Sequence, residues 1–83
     1  MQSDAFRAFL KARYPELKSD GTRATVLSRC NRVERELDVN LDDFDAISLS
    51  SLHDDARKLS KSRAAGNDLV SALKRYGEFL AAS

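Results

Sequence analysis

Apolar residues recur at helical spacing in four separate stretches of this chain, and no stretch alternates as a strand would. The first pattern predicts a helix from about Asp4 to Tyr14, with Ser3 as N-cap and Phe6, Phe9 and Leu10 as the buried stripe. Pro15 disfavours helical geometry at Tyr14 and ends it. The second helix begins near Thr22, after the turn signal Asp20-Gly21, and runs to about Asp38. Within it Val26, Cys30, Val33 and Leu37 fall inside about 60° of arc, a clean core stripe. The segment Asn40 to Ser48 reads as a connection that Leu41, Phe44 and Ile47 pin to the core.

A short third helix is expected from about Ser51 to Leu59, facing inward through Leu52, Ala56 and Leu59. Its Ser51-x-x-Asp54 start resembles a capping box. The last helix spans about Ala64 to Ala81, with Leu69, Ala72, Leu73, Tyr76, Phe79 and Leu80 on one side. Gly66 and Gly77 lie inside it, each costing roughly 1 kcal/mol relative to alanine. Close helix packing is the expected reason for them. The fold class is therefore all-α, a compact bundle of four helices in one domain, residues 1–83.

Composition narrows the function. With 83 residues the chain forms one small domain, and its single cysteine excludes an internal disulfide. One Cys and one His are too few soft ligands for a zinc site, and no cofactor motif is present. There is no run long and apolar enough for a membrane span and no signal-peptide core after Met1, so the expected location is cytoplasmic. The net charge is only +1, but its distribution is uneven. Residues 1–36 carry eight basic against five acidic side chains, residues 37–55 carry six aspartates with no Lys or Arg, and residues 56–83 carry six basic against two acidic. Where the two basic segments meet they would form one positive face, with the acidic segment turned away.

The second helix presents Thr25, Ser28, Arg29, Arg32 and Arg35 along one flank of its core stripe, interrupted only by Glu36. Guanidinium forks bind phosphates or the paired acceptors of guanine, and hydroxyls bond phosphate oxygens. The bland alternative is a solvated charged face with pairs such as Arg32–Glu36. The last helix offers a matching polar stripe in Asn67, Ser71 and Lys74. At its start Ser62 and Arg63, with Lys58 and Lys61 close by, suit a phosphate at a helix N-terminus. His53 stands beside Asp54 and Asp55, but helical neighbours diverge and no nucleophile is placed by the spacing, so no catalytic residue is assigned. Cys30 reads as a small buried hydrophobe, and Tyr14 and Tyr76 read as structural. Asp42-Asp43-x-Asp45 lacks the glycine and distal glutamate of a calcium loop.

The order of these segments resembles the SAM-like core-binding domain at the N-terminus of phage integrases and other tyrosine recombinases. The likeness runs from Phe6-x-x-Phe9-Leu10, through Gly21-Thr22-Arg23-Ala24-Thr25-Val26 and Leu41-Asp42-Asp43-Phe44, to Leu49 and Leu52 and the Ala72-Leu73-Lys74-Arg75-Tyr76 helix. The resemblance implies a SAM-like four-helix bundle that contacts the major groove with its second and fourth helices. Carried over by position, those contacts fall on Arg23, Thr25, Arg29, Arg32, Asn67, Ser71 and Lys74. The recombinase catalytic residues are not among these segments, so no cutting activity is implied.

The expected function is non-enzymatic binding of double-stranded DNA through Arg23, Thr25, Ser28, Arg29, Arg32, Arg63, Asn67, Ser71 and Lys74, with a regulatory or mobile-element role. A protein partner or self-association stays open; no metal, membrane or small-molecule substrate is implied. The rival is a protein-interaction module that uses the acidic middle segment and the basic flanks. Geometry separates the two, because DNA contact requires the outward stripes of the second and fourth helices to share a face.

Overall fold

The chain closes its apolar stripes on one another as four α-helices, in a computed structural model that describes residues 1–17 and 20–82. These are α1 (Ser3–Arg13), α2 (Asp20–Leu37), α3 (His53–Lys58) and α4 (Arg63–Ala82), with 3-10 turns at Leu41–Asp43 and Ser48–Leu52. No strand occurs among the described residues, so the all-α bundle is the observed architecture. α4 packs against α1, α2 and α3 in turn and is the central helix. The radius of gyration is 11.9 Å, as expected for a compact chain of this length.

Helix ends differ in detail from the sequence expectation. Ser3 lies inside α1, which starts from Gln2 without a side-chain cap. α2 begins at Asp20, so Asp20-Gly21 belongs to its first turn rather than to a preceding turn. At its other end Asp38 adopts a positive φ of 52°, and the Val39 N–H reaches back 3.0 Å to the Glu34 carbonyl. That is the Schellman arrangement, for which a short Asp side chain is tolerated. Ser51 sits within a 3-10 turn and caps nothing; α3 starts at His53 without a side-chain cap. The effective cap is Ser62, whose hydroxyl oxygen accepts the Ala65 N–H at 3.1 Å at the start of α4.

The core is made by Phe6 and Leu10 of α1, Val26, Leu27, Cys30 and Val33 of α2, Leu41 and Leu49 of the connection, and Leu69, Leu73, Tyr76 and Phe79 of α4. Phe6 meets the Tyr76 ring edge-on at 4.8 Å, and Phe79 meets both Phe6 and Phe9 at under 6 Å. Ile47 was expected to pin the connection, yet it is 84% exposed. The cause is local. The Asp45 carboxylate accepts the Ile47 and Ser48 N–H groups at 3.1 and 2.7 Å, and the Ser48 hydroxyl accepts the Asp45 N–H at 3.0 Å. This Asx turn fixes the backbone and turns Ile47 outward, while Leu49 takes the inward place.

Tyr76 is fully buried, and its hydroxyl is a junction. It donates to Asp42 and accepts the Gln2 N–H at 3.1 Å. Glu34 completes the arrangement by accepting the Leu41 N–H at 2.9 Å. The hydrogen bond from Tyr76 holds the Asp42 carboxyl below its usual value; Gln2 and the Met1 ammonium add to this, and burial opposes it. Burial first, and then Asp42, pushes the Tyr76 hydroxyl above its usual value.

Of the two glycines of α4, only Gly66 is required by packing. A Cβ there would stand 3.0 Å from the Arg57 carbonyl oxygen and 3.2 Å from its Cα, where α3 crosses α4. At Gly77 the nearest atom, a Leu49 methyl, is at an ordinary 3.6 Å. Gly66→Ala is therefore expected to lower the urea midpoint. Gly77→Ala is expected to raise it, by about 0.5–1 kcal/mol of stability from helix propensity alone.

Tyr76→Phe is expected to cost about 1 kcal/mol in urea unfolding at neutral pH, because it removes the hydrogen bonds to the Gln2 N–H and the Asp42 carboxylate, groups on exposed residues that water can still reach. Acid has a defined sign as well. The folded state holds the Asp42 carboxyl low, so its contribution is present above the unfolded value near 3.8 and is lost as pH falls through the lower folded value. Asp42→Asn should flatten that acid limb relative to the parent protein.

Candidate nucleic-acid interface

The outward flank of α2 lies opposite α4 across a polar groove of about 470 Å³. Ser28, Arg29, Asn31, Arg32 and Arg35 form the α2 wall, and Ala65, Asp68 and Leu69 form the α4 wall. The core stripe of α2 dictates this placement. With Val26, Cys30 and Val33 turned inward, positions 28, 29, 32 and 35 face out or toward the edge of the neighbouring helix.

The arginines here do two kinds of work. Arg29 pairs with Asp68 across the groove at 3.7 Å, with both side chains partly exposed. Arg32 donates to the Leu59 carbonyl at 2.8 Å, satisfying an acceptor at the end of α3. Arg35 is exposed. A guanidinium carries five N–H donors, so one contact each leaves Arg29 and Arg32, which line the groove, with donors to spare. Arg23 is different. It is only 8% exposed, and it donates to the Leu17 carbonyl at 2.6 Å. The contact expected of it with DNA is corrected to a structural brace. Its position one turn before Val26 on the core side of α2 was the available signal.

Thr25 is exposed, and its hydroxyl donates to the Gly21 carbonyl one turn back at 2.9 Å. Arg63, Asn67, Ser71 and Lys74 are all exposed on α4. Counted around α4 from Asp68, Ser71 lies about 60° away, Asn67 about 100° and Lys74 about 120°. The α4 stripe thus starts beside the groove and turns progressively off it. Lys74 lines a second groove of about 270 Å³ with Ala46, Leu49, His53, Leu73, Gly77, Glu78 and Ala81. None of the expected α4 positions Arg63, Asn67, Ser71 and Lys74 lines the groove; α4 meets the α2 arginines through Asp68, and its predicted stripe diverges from them, least at Ser71 and most at Lys74.

Asp68 was absent from the sequence-based site, although among the described residues it is the one acidic side chain lining the α2–α4 groove. Asn31 and Arg35 also line the groove; the α2 row read from the sequence includes Arg35 without carrying it into the expected contacts, and does not single out Asn31. Their signal was present in the arginine row itself, whereas an ion pair between residues 29 and 68 leaves no trace in local spacing.

The remaining polar candidates have structural placements. Burial lowers the His53 imidazole from its usual value, and the positive Lys74 and Arg57 lower it further, while Asp54 opposes. Burial, reinforced by Glu34, pushes the Cys30 thiol up to about 12, and its Sγ lies 3.5 Å from the Ala72 carbonyl. Tyr14 donates to Glu78 and has the Arg75 and Arg13 guanidiniums 5.0 and 5.3 Å from its ring, fastening the end of α1 to α4. Among the described residues no cluster of His, Cys, Asp and Glu could hold a metal ion, and no helix is long and apolar enough to cross a membrane.

The chain matches no family model, no curated protein and no solved structure.

Burial and the high thiol pKa together make Cys30 a poor nucleophile. The folded protein at pH 8 is expected to react with a thiol reagent far more slowly than the urea-unfolded chain. Rapid labelling of the folded chain would contradict the placement.

Proposed function

We propose that this protein is a non-enzymatic DNA-binding module whose contact surface is the α2–α4 groove and the exposed polar positions beside it. The observation that carries the reading is the convergence of Ser28, Arg29, Arg32 and Arg35 on one groove shared with α4. Guanidiniums, a hydroxyl and an amide make the α2 wall donor-rich and suited to phosphate, with the Asp68 carboxylate opposite on the α4 wall. Arg63, Asn67 and Ser71 extend it along exposed α4. The resemblance to the core-binding domain of tyrosine recombinases supports the same pair of helices, except at the buried Arg23. Double-stranded DNA is the partner in this reading, and a regulatory or mobile-element role accompanies it.

One observation favours a protein partner instead. Ile47 stands exposed on a fixed turn inside the acidic 37–55 segment, beside the groove floored by Leu49 and Leu73. Under that reading a basic, apolar segment of another protein would dock there.

Fluorescence anisotropy with a labelled duplex separates the two. Three to five phosphate contacts imply that affinity falls by between about forty-fold and five-hundred-fold from 50 to 200 mM salt. Arg29→Ala/Arg35→Ala should weaken binding by about tenfold or more with the fold intact, since neither side chain is buried. Ile47→Asp should leave it unchanged. A folded sample that binds no duplex at tens of micromolar protein would overturn the proposal.

A further inference from the structure

We infer that the α2–α4 groove seats a single protruding backbone phosphate, and that Asp68 is its built-in competitor, the carboxylate that a phosphate must displace from Arg29. The inference rests on the nucleic-acid reading and goes beyond it in naming what enters the groove and what opposes entry. Shape decides the first point. The surface is concave, and a concavity receives a group that projects. On a duplex the phosphates project, while the base edges lie recessed in the grooves. A phosphodiester brings one negative charge and acceptor oxygens only. The α2 wall answers with three guanidiniums, the Ser28 hydroxyl and the Asn31 amide.

The second point follows from the Arg29–Asp68 pair. Its N···O distance is 3.7 Å and both side chains are partly exposed, at 38% and 57%. Such a pair is weak and exchangeable. Without a phosphate, the Asp68 carboxylate is the counter-charge of Arg29, at 3.7 Å and so beyond hydrogen-bond distance. With a phosphate present, the same carboxylate is a like charge on the opposite wall. Arg32 does not exchange in this way, because it is fixed by the Leu59 carbonyl at 2.8 Å. Asp68 therefore raises the threshold for binding, and an isolated phosphate competes poorly where a polyanion held at further points succeeds.

The test is duplex affinity at about 100 mM salt for the parent protein, Asp68→Asn, Arg29→Ala and their combination, with Asp4→Asn as a charge-matched control on α1, outside the groove. Asp68→Asn is expected to tighten binding about three- to tenfold, and Asp4→Asn less than about twofold. In the Arg29→Ala background the gain from Asp68→Asn should shrink to the size of the control. Circular dichroism of each variant establishes that folding is kept. If the parent binds duplex and Asp68→Asn does not tighten it, the competitor role is overturned while the nucleic-acid reading stands. A gain that persists undiminished without Arg29 overturns it too, as an effect of net charge alone. Absence of duplex binding in every variant overturns both.

Discussion

Tyr76 carries its hydroxyl to the place where three chain segments meet, and the rest of the fold is arranged around that constraint. The ring belongs to the apolar stripe of α4 and packs edge-on against Phe6. The oxygen, buried with it, must find partners or lose them at a cost of a few kcal/mol. It finds Asp42 from the connection and the Gln2 N–H from the start of α1. One side chain thereby fixes the entry of α1 and the 41–43 turn relative to α4. Glu34 secures the same turn from α2 through the Leu41 N–H. For a chain of 83 residues with a thin stability margin, a hydrogen-bonded junction at the edge of the core, with the buried Tyr76 hydroxyl satisfied, gives a definite arrangement that apolar packing alone would specify less well.

Once α4 is placed, the groove follows. The stripes of α2 and α4 bury Cys30 against the Ala72 carbonyl and leave the next helical positions on either side facing one another. Arginine then has two uses within one short helix. Arg23 and Arg32 close backbone carbonyls at Leu17 and Leu59, which braces the ends of neighbouring segments. Arg29 and Arg35 lie on the accessible wall. The division matters for any ligand: Arg23 is spent on the scaffold, Arg32 lines the wall while held in place by the Leu59 carbonyl, and Arg29 and Arg35 are the wall guanidiniums that can move toward an anion.

Much of the fold was legible in the sequence because helical periodicity reports burial directly. Val26, Cys30 and Val33 are buried as their spacing demanded, as are Leu69, Ala72, Leu73 and Tyr76. Short-range competition was less legible. The Asp45 carboxylate captures two backbone N–H groups and turns Ile47 to solvent, so an isoleucine that composition placed inside stands outside. Helix starts were misplaced at Ser3 and Ser51, because the cap depends on where the preceding chain enters. At Gly66 close packing was anticipated correctly; at Gly77 the space is ordinary. The arginine row was visible from α2 alone. The burial of Arg23 could be read from its place one turn before Val26, whereas the Leu59 anchor of Arg32 and the Asp68 partner of Arg29 depend on tertiary placement across several tens of residues, which local spacing does not encode.

The most direct test of the central claim is a two-dimensional amide NMR titration of the isotope-labelled protein with an unlabelled duplex. Binding at the α2–α4 groove should perturb the amides of Ser28, Arg29, Asn31, Arg35, Asp68 and Ser71 together, and leave those around Ile47 and Leu49 in place. Perturbations centred on residues 45–49 and His53, or none at all with the spectrum of a folded protein, would contradict it.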